Sequence, residues 1–536
     1  MDKRSSNVLR QLSVCAVFLL GTAVWCAGQN TPALSERPAD AKPGTADDLA
    51  AQVRALQAGM MRMEAQMDSM QAETEKLRTE LQQTRARLAA IDPAPKMPPA
   101  SSSPPQQAAL AATPAEAAPQ AQSAKKDVQN QLANVEEQQQ LLKSEINDQY
   151  QTKVESASKH RVRLSGLALL NVFSNRGVVD NQDVPRVAQE PGPLDSNATF
   201  GATVRQSMVG LDVTGPTLAG ARTWGEIQMD FFGGFPNDLN GVTTGLMRLR
   251  TAAVHMDWAN TSLTAGQEPL FFSPLSPTSL ASLAEPAFSY AGNLWAWAPQ
   301  IRVEHRFDLS ENSKVTLQGG ILDSLTGEPP MYGYDRTAQA GERSGQPAYA
   351  ARAAWSASAF GQTASVGVGA YYAPENWGFG RKINGWAGTA DWNLPLGRWF
   401  SLSGELYRGR AIGGLGGGIG RSVLYNGALT SNLTSVLGLN SAGGWGQLKF
   451  RPTERLEFNG AFGEDQSFAG DLHRFEDAQS YFNASLEKNQ SSFVNFIYHL
   501  RSNLLLSLEY RRLWTTETYE ETYRANQINL GIGVLF

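Results

Sequence analysis

The sequence predicts an all-β transmembrane barrel of about 16 antiparallel strands, preceded by an α-helical coiled coil. Three observations carry this. The last residues place Ile528, Leu530, Ile532, Val534 and Phe536 on one parity, and Gln527, Asn529, Gly531 and Gly533 on the other. A strand sends alternate side chains to opposite faces, so this segment has one oily face and one wet or empty face. Segments of the same period recur from His160 onward, with long and short connections between them. Upstream of His160 the apolar period is that of a helix.

Composition fits a barrel better than a helical membrane protein. Only 42% of residues are hydrophobic and mean hydropathy is −0.32, whereas a barrel needs lipid-facing residues only at every second strand position. With 46 basic and 51 acidic residues the net charge is −5, which leaves no basic footprint for nucleic acid.

Residues 1–28 are expected to be a signal peptide. Lys3, Arg4 and Arg10 supply the positive start, and the apolar run Val14 to Trp25 is too short for a membrane helix of roughly 20 residues. Cys15 and Cys26 are the only cysteines, so cleavage after Gly28 leaves none for a disulfide or thiolate metal site.

After a tail at 29–48, a 4-3 alternation runs through Leu49, Val53, Leu56, Met60, Met63, Met67, Met70, Thr74, Leu77, Leu81, Thr84, Leu88 and Ile91. A single helix on a globular body rarely sustains that period, so 49–91 reads as a coiled coil. At 1.5 Å per residue it would extend about 60 Å. Residues 92–124 are rich in Pro and Ala and read as a semi-rigid linker. A second coiled-coil segment, 125–158, carries Val128, Leu132, Val135, Leu142 and Ile146. A coil needs a partner helix, most simply a second copy of the chain, so a homo-oligomer is expected.

Residues 160–536 hold the period of two. Ile301, Val303, His305, Phe307 and Leu309 alternate with Arg302, Glu304, Arg306 and Asp308. Thr223, Gly225, Ile227 and Met229 alternate with Arg222, Trp224, Glu226, Gln228 and Asp230. One stretch breaks the rule: Arg248 and Arg250 share parity with Val254 and Met256. A soluble sandwich would also show alternation, and the connections separate the two readings. Long ones (174–201, 268–299, 323–347, 410–442, 465–490) are expected to alternate strictly with short ones such as Ala259-Asn260 and Arg501 to Asn503. Outer-membrane barrels segregate loops in this way, with short turns in the periplasm. The coil enters from the short-turn side and is expected in the periplasm.

Sixteen strands, a terminal Phe536 and a long third loop resemble the trimeric outer-membrane porins; the coil ahead of the barrel resembles the DcaP-like porins in particular. The resemblance covers about 160–536. It implies a bacterial outer-membrane location and a water-filled channel for passive diffusion of small hydrophilic solutes. Expected partners are two further copies in a trimer, outer-membrane lipid and lipopolysaccharide, and the barrel assembly machinery through the strand ending in Phe536. Peptidoglycan is a candidate ligand of the coil, and a structural anchor tethering the barrel to the cell wall is the alternative function.

The third outer loop, from Glu268 to Pro299, carries Phe271, Phe272, Leu275, Leu280, Leu283, Phe288, Tyr290, Trp295 and Trp297. That much apolar surface must pack, either inside the lumen, as the resemblance implies, or against a neighbouring subunit. Its carboxylates Glu268 and Glu285 are candidate constriction groups. Lumen parity assigns Arg205, Arg222, Arg302, Arg306 and Arg352 to the pore wall, with Arg248 and Arg250 as further candidates. The acidic wall candidates are Glu226, Asp230 and Glu304. A transverse field between loop carboxylates and wall guanidinia would orient dipolar solutes. The arginine count favours anions.

Trp258, Trp392, Trp399, Phe400, Tyr498, Tyr510 and Phe536 suit interfacial girdles, and Trp224 or Tyr371 could form a sugar track. His160, His255, His305, His473 and His499 show no metal-ligand spacing, no base–nucleophile pair is apparent, and no cofactor or enzymatic activity is expected. The glycine-rich stretch 411–420 lacks the lysine of a phosphate loop and is expected to be a mobile outer loop.

Overall fold

The computed structural model describes residues 161–236, 241–330, 336–475, 477–518 and 521–536. The expected signal peptide, both coiled-coil segments and the linker lie outside the described residues.

Sixteen antiparallel staves close into a barrel. They are β1 (Val162–Arg176), β2 (Ala198–Thr203 and Met208–Leu218, one interrupted stave), β3 (Ala221–Asp230), β4 (Arg248–Asp257), β5 (Thr261–Pro269), β6 (Trp297–Ser310), β7 (Ser313–Leu322) and β8 (Ala348–Ala359). The second half comprises β9 (Gln362–Asn376), β10 (Lys382–Pro395), β11 (Phe400–Arg410), β12 (Asn440–Thr453), β13 (Leu456–Ser467), β14 (Leu486–His499), β15 (Leu504–Glu517) and β16 (Thr522–Leu535). Closure is made by β16 pairing with β1, from Leu167↔Leu535 to Arg176↔Asn526. Phe536 completes the seam with backbone hydrogen bonds to Gly166 in both directions, at 2.8 and 3.0 Å. Its ring lies over Gly166 on the outer face, where a Cβ would collide with it.

Side-chain burial is inverted relative to a water-soluble fold. On β16, Gln527 and Asn529 are 1% and 2% exposed, whereas Ile528 is 53% exposed. On β6, Ile301, Val303 and Leu309 point outward, while Arg302, Glu304 and Arg306 pair inside. An outer surface of this kind is stable only against hydrocarbon. The outer face also carries an aromatic row across four staves: Phe400 pairs with Phe450, Phe450 with Phe458, and Phe458 with Phe496. Their ring centroids are 4.6, 6.1 and 6.3 Å apart. These rings stand toward the short-turn end, where a girdle belongs. Of the four, only Phe400 is among the residues the sequence nominated.

A β-bulge removes the parity conflict on β4. Gln228 faces Thr251 but Met229 faces Leu249, so Arg250 is an extra residue in the ladder. A bulge sets two residues of one strand against one of the other and reverses the alternation beyond it. Arg248 and Arg250 thereby face the lumen, while Val254 on the far side of the bulge faces out.

Loop lengths depart from strict alternation. The outer connections 377–381 and 518–521 are five and four residues long, nearly as short as the four-residue turns 396–399 and 500–503. The hairpins flanking them stay paired as far as Asn376↔Lys382 and Thr516↔Thr522. The glycine-rich stretch also differs from expectation. Ile412, Leu415 and Ile419 are fully buried in the barrel mouth, and Leu415 accepts a 3.0 Å backbone hydrogen bond from Trp295. Its glycines allow the tight path, since Gly416, Gly418 and Gly420 all have positive φ.

Candidate functional site

The third outer loop, 270–296, folds into the lumen and crosses it. Its polar atoms meet inward-facing side chains from stave after stave. Thr389 donates to the Phe272 carbonyl at 2.5 Å. Ser273 Oγ and the Leu275 N–H donate to Glu405, each at 2.7 Å. The Thr278 N–H donates to Gln447 at 2.6 Å, and Ser279 Oγ to Glu509 at 2.5 Å. Asn171 reaches the Leu280 carbonyl, and Gln206 reaches that of Ala281, at 3.0 and 3.1 Å. Glu405 and Glu509 were not foreseen as loop anchors, because nothing local marks a buried carboxylate that will meet a loop residue over 100 positions away in the chain.

Apolar packing accompanies this polar stitching. Leu270, Phe271, Phe272 and Leu294 pack with Leu322, Tyr371, Tyr407, Ile412 and Leu415. Phe288 and Ala291 pack on Trp445, Ala461 and Phe493. Full burial of such a side chain contributes roughly 1.5–3 kcal/mol, so the main core of the described chain lies inside the barrel. At the loop's far end Gly292 has φ +96°, and a Cβ there would run into backbone atoms of Gly444 and Glu464. No side chain fits between those two backbones.

Each nominated wall guanidinium is ion-paired. Arg302 pairs with Glu268 at 2.8 Å, Arg306 with Glu304 at 2.9 Å and Arg352 with Asp391 at 2.6 Å. Arg205 sits in the interruption of β2, bound to Asp183 at 2.6 Å and lying over Phe232 and Phe235. Arg222 is largely exposed at the start of β3, 3.7 Å from Asp257. Asp230, fully buried, holds Arg248 at 2.6 Å and Arg250 at 3.2 Å. These two arginines also donate to the carbonyls of Ala284 and Leu283, at 2.7 and 2.8 Å, fastening the loop.

The two loop carboxylates behave differently from the expected transverse field. Glu268 closes β5 and pairs with the adjacent wall through Arg302. Glu285 pairs with Arg186 of the first outer loop, 3.3 Å away, rather than with the wall. Burial pushes the Glu285 carboxyl up from its ordinary value, with Arg186 opposing. Nothing in the sequence marks Arg186, because it lies in a loop with no period to place it. Of the two proposed sugar-track aromatics, Tyr371 is buried against Phe272 at 5.2 Å, while Trp224 is partly exposed and stacks on His255 at 3.8 Å. His255 itself lies beside Glu226 and Glu268, with ligand-type atoms of the three within 4.8 Å. Sequence spacing concealed this group because its members come from three successive staves.

No family model matches the sequence, and no curated protein is similar to it. Solved structures do match in fold. The outer-membrane channel DcaP of Acinetobacter baumannii superposes with a TM-score of 0.53 at 19% identity, covering 72% of this chain and 99% of its own. An anion-selective porin from Comamonas acidovorans gives a TM-score of 0.42 at 12% identity, over 70% of this chain and all of its own. Salmonella typhi OmpF, in a complex with daunomycin, gives 0.40 at 13%, over 70% and 98%. With its sixteen closed staves and its infolded third loop, the described part of this chain has the fold of an outer-membrane porin.

Proposed function

We propose that this protein is an outer-membrane porin, giving passive diffusion to small hydrophilic solutes through a water-filled lumen. The observation that supports this most is the third loop, held across the interior of a lipid-faced barrel by hydrogen bonds to many staves. Such a loop narrows a lumen without sealing it by a separate domain. Selection then rests on width and wall charge, with no turnover of solute.

Arg302, Arg306 and Arg352 are each matched by a carboxylate. Arg248 and Arg250, in contrast, share the single carboxylate of Asp230, a local surplus of one positive charge that supports a preference for anionic solutes. The channel assembles as a homotrimer in lipid and lipopolysaccharide. The strand ending in Phe536 engages the assembly machinery, and the coil of 49–91 and 125–158 extends into the periplasm, toward peptidoglycan.

Purified protein in a planar bilayer is expected to give discrete open steps and an anion-side reversal potential. Arg302→Glu is expected to move that potential toward cations. Absence of open steps would replace the channel by a membrane anchor; an unchanged potential in Arg302→Glu would remove that residue from the solute path.

A further inference from the structure

Beside the third loop's root, the geometry points to a divalent-metal site on the inner wall, formed by Glu226 of β3, His255 of β4 and Glu268 of β5. The candidate ligand atoms lie within 4.8 Å of one another. His255 Nε2 and Glu268 Oε1 already stand 3.4 Å apart. Bonds of 2.0–2.1 Å in a tetrahedral shell need ligand atoms roughly 3.3–3.4 Å apart. Glu226, half-buried, is the ligand that swings inward to complete the shell, leaving a fourth position for water from the lumen.

Two features set this group apart from an ordinary ion pair. His255 and Glu268 are each 6% exposed, yet His255 Nε2 is buried without a hydrogen-bond partner. A buried polar atom left in that state is costly, and a ligand would relieve it. The imidazole is also held as a ligand would be. Its Nδ1 is engaged by Thr264 Oγ1 at 3.2 Å, which leaves Nε2 toward the carboxylates. Its face is stacked on Trp224, whose indole N–H is anchored on Asp257 at 2.8 Å. Outer contacts that fix tautomer and ring orientation are typical of metal-bound histidine.

Arg302 shapes the site instead of closing it. Its Nη2 lies 2.8 Å from Glu268 Oε2, an ionic contact that is not aligned as a hydrogen bond. Glu268 can keep this partner and coordinate through Oε1. One imidazole nitrogen with two carboxylates suits a borderline cation such as Zn²⁺. Mg²⁺ and Ca²⁺ favour all-oxygen shells and are poor occupants. Two carboxylates and one guanidinium sum to −1, so a bound dication turns this patch of wall to +1. Metal binding would therefore bias a channel toward anions; this second consequence rests on the porin reading, whereas binding itself does not.

The test is calorimetric titration of the purified full chain in detergent with zinc chloride and, separately, magnesium chloride. The expected result is saturable Zn²⁺ uptake at one ion per barrel, with none for Mg²⁺. His255→Gln abolishes uptake, and Thr264→Val weakens it by about tenfold, the low end of outer-contact effects. Heat-modifiable migration of each variant shows that its barrel is intact; Thr264→Val keeps the question answerable if His255→Gln does not fold. Uptake that is absent in the wild type, unchanged in His255→Gln, or equal for Mg²⁺ would overturn the site. In the bilayer, Zn²⁺ shifts the wild-type reversal potential toward anions and leaves that of His255→Gln in place. Uptake in detergent with no open channels in the bilayer would sink the porin reading while leaving the metal site standing.

Discussion

The carboxylate of Asp230 grips Arg248 through two hydrogen bonds, 2.6 and 3.1 Å long, with no exposure of the acid to solvent. Arg248 in turn donates to the Ala284 carbonyl, so one buried acid fastens the loop that crosses the lumen. Asp230→Ala leaves two guanidinia without their shared partner. Breaking a buried pair from one side costs about 3–5 kcal/mol. The expected result is a barrel that unfolds at lower temperature on gels and a noisier, larger conductance; wild-type values of both would remove Asp230 as the loop's anchor.

Glu285 introduces a pH dependence. Burial raises its carboxyl above the ordinary 4.5 in the folded chain, so folding takes up a proton in that range. The contribution is complete below the ordinary glutamate range and is lost as pH climbs through the raised value. Thermal stability of the wild-type barrel is expected to fall across that window. Glu285→Gln should flatten the fall and raise stability at neutral pH. A variant that retains the wild-type slope would assign the dependence to another group.

Gly292 is expected to tolerate no side chain. Its φ of +96° disfavours any side chain, and a Cβ would collide with the Gly444 and Glu464 backbones. Gly292→Val should dislodge the loop's far end from β12 and β13, raising conductance and opening the loop to protease. A closed, protected loop in this variant would contradict the docking described.

Ile528 faces outward near the middle of β16 and pairs with Ser174 and Tyr510 on the neighbouring staves. Arginine at a lipid-facing mid-membrane position costs about 2–4 kcal/mol. Ile528→Arg should therefore reduce the yield of heat-modifiable barrel, and Ile528→Val should not. Equal yields would show that this parity does not meet lipid.

Arg421 is buried among loop carbonyls, donating to Gly418, Asn483 and Ala484 at 3.0, 3.1 and 2.8 Å, and also to Leu486. Burial pulls its guanidinium down to about 10, with Asp465 and Tyr407 opposing, so it remains charged at neutral pH. Arg421→Met strands those acceptors, each worth roughly 1–3 kcal/mol when left unpaired. The expected readout is faster proteolysis within 411–439 and 468–485. Unaltered cleavage would mean that the two loops hold without it.

Alternation along each segment marks the staves and the oily face of β16, because strand parity is a local property of the backbone, and the pattern of connections adds the barrel and its count of about sixteen. Even the conflict at Arg248 and Val254 was visible in the sequence; the bulge that resolves it is a matter of pairing with β3. The wall arginines could be named, but not their partners. Asp391 meets Arg352, and Arg186 meets Glu285, only once distant segments are folded together. The inward fold of the third loop, the burial of the glycine-rich stretch and the grouping of Glu226, His255 and Glu268 were likewise decided in three dimensions. A period of two says which way a side chain points, and only closure of the sheet says what it points at.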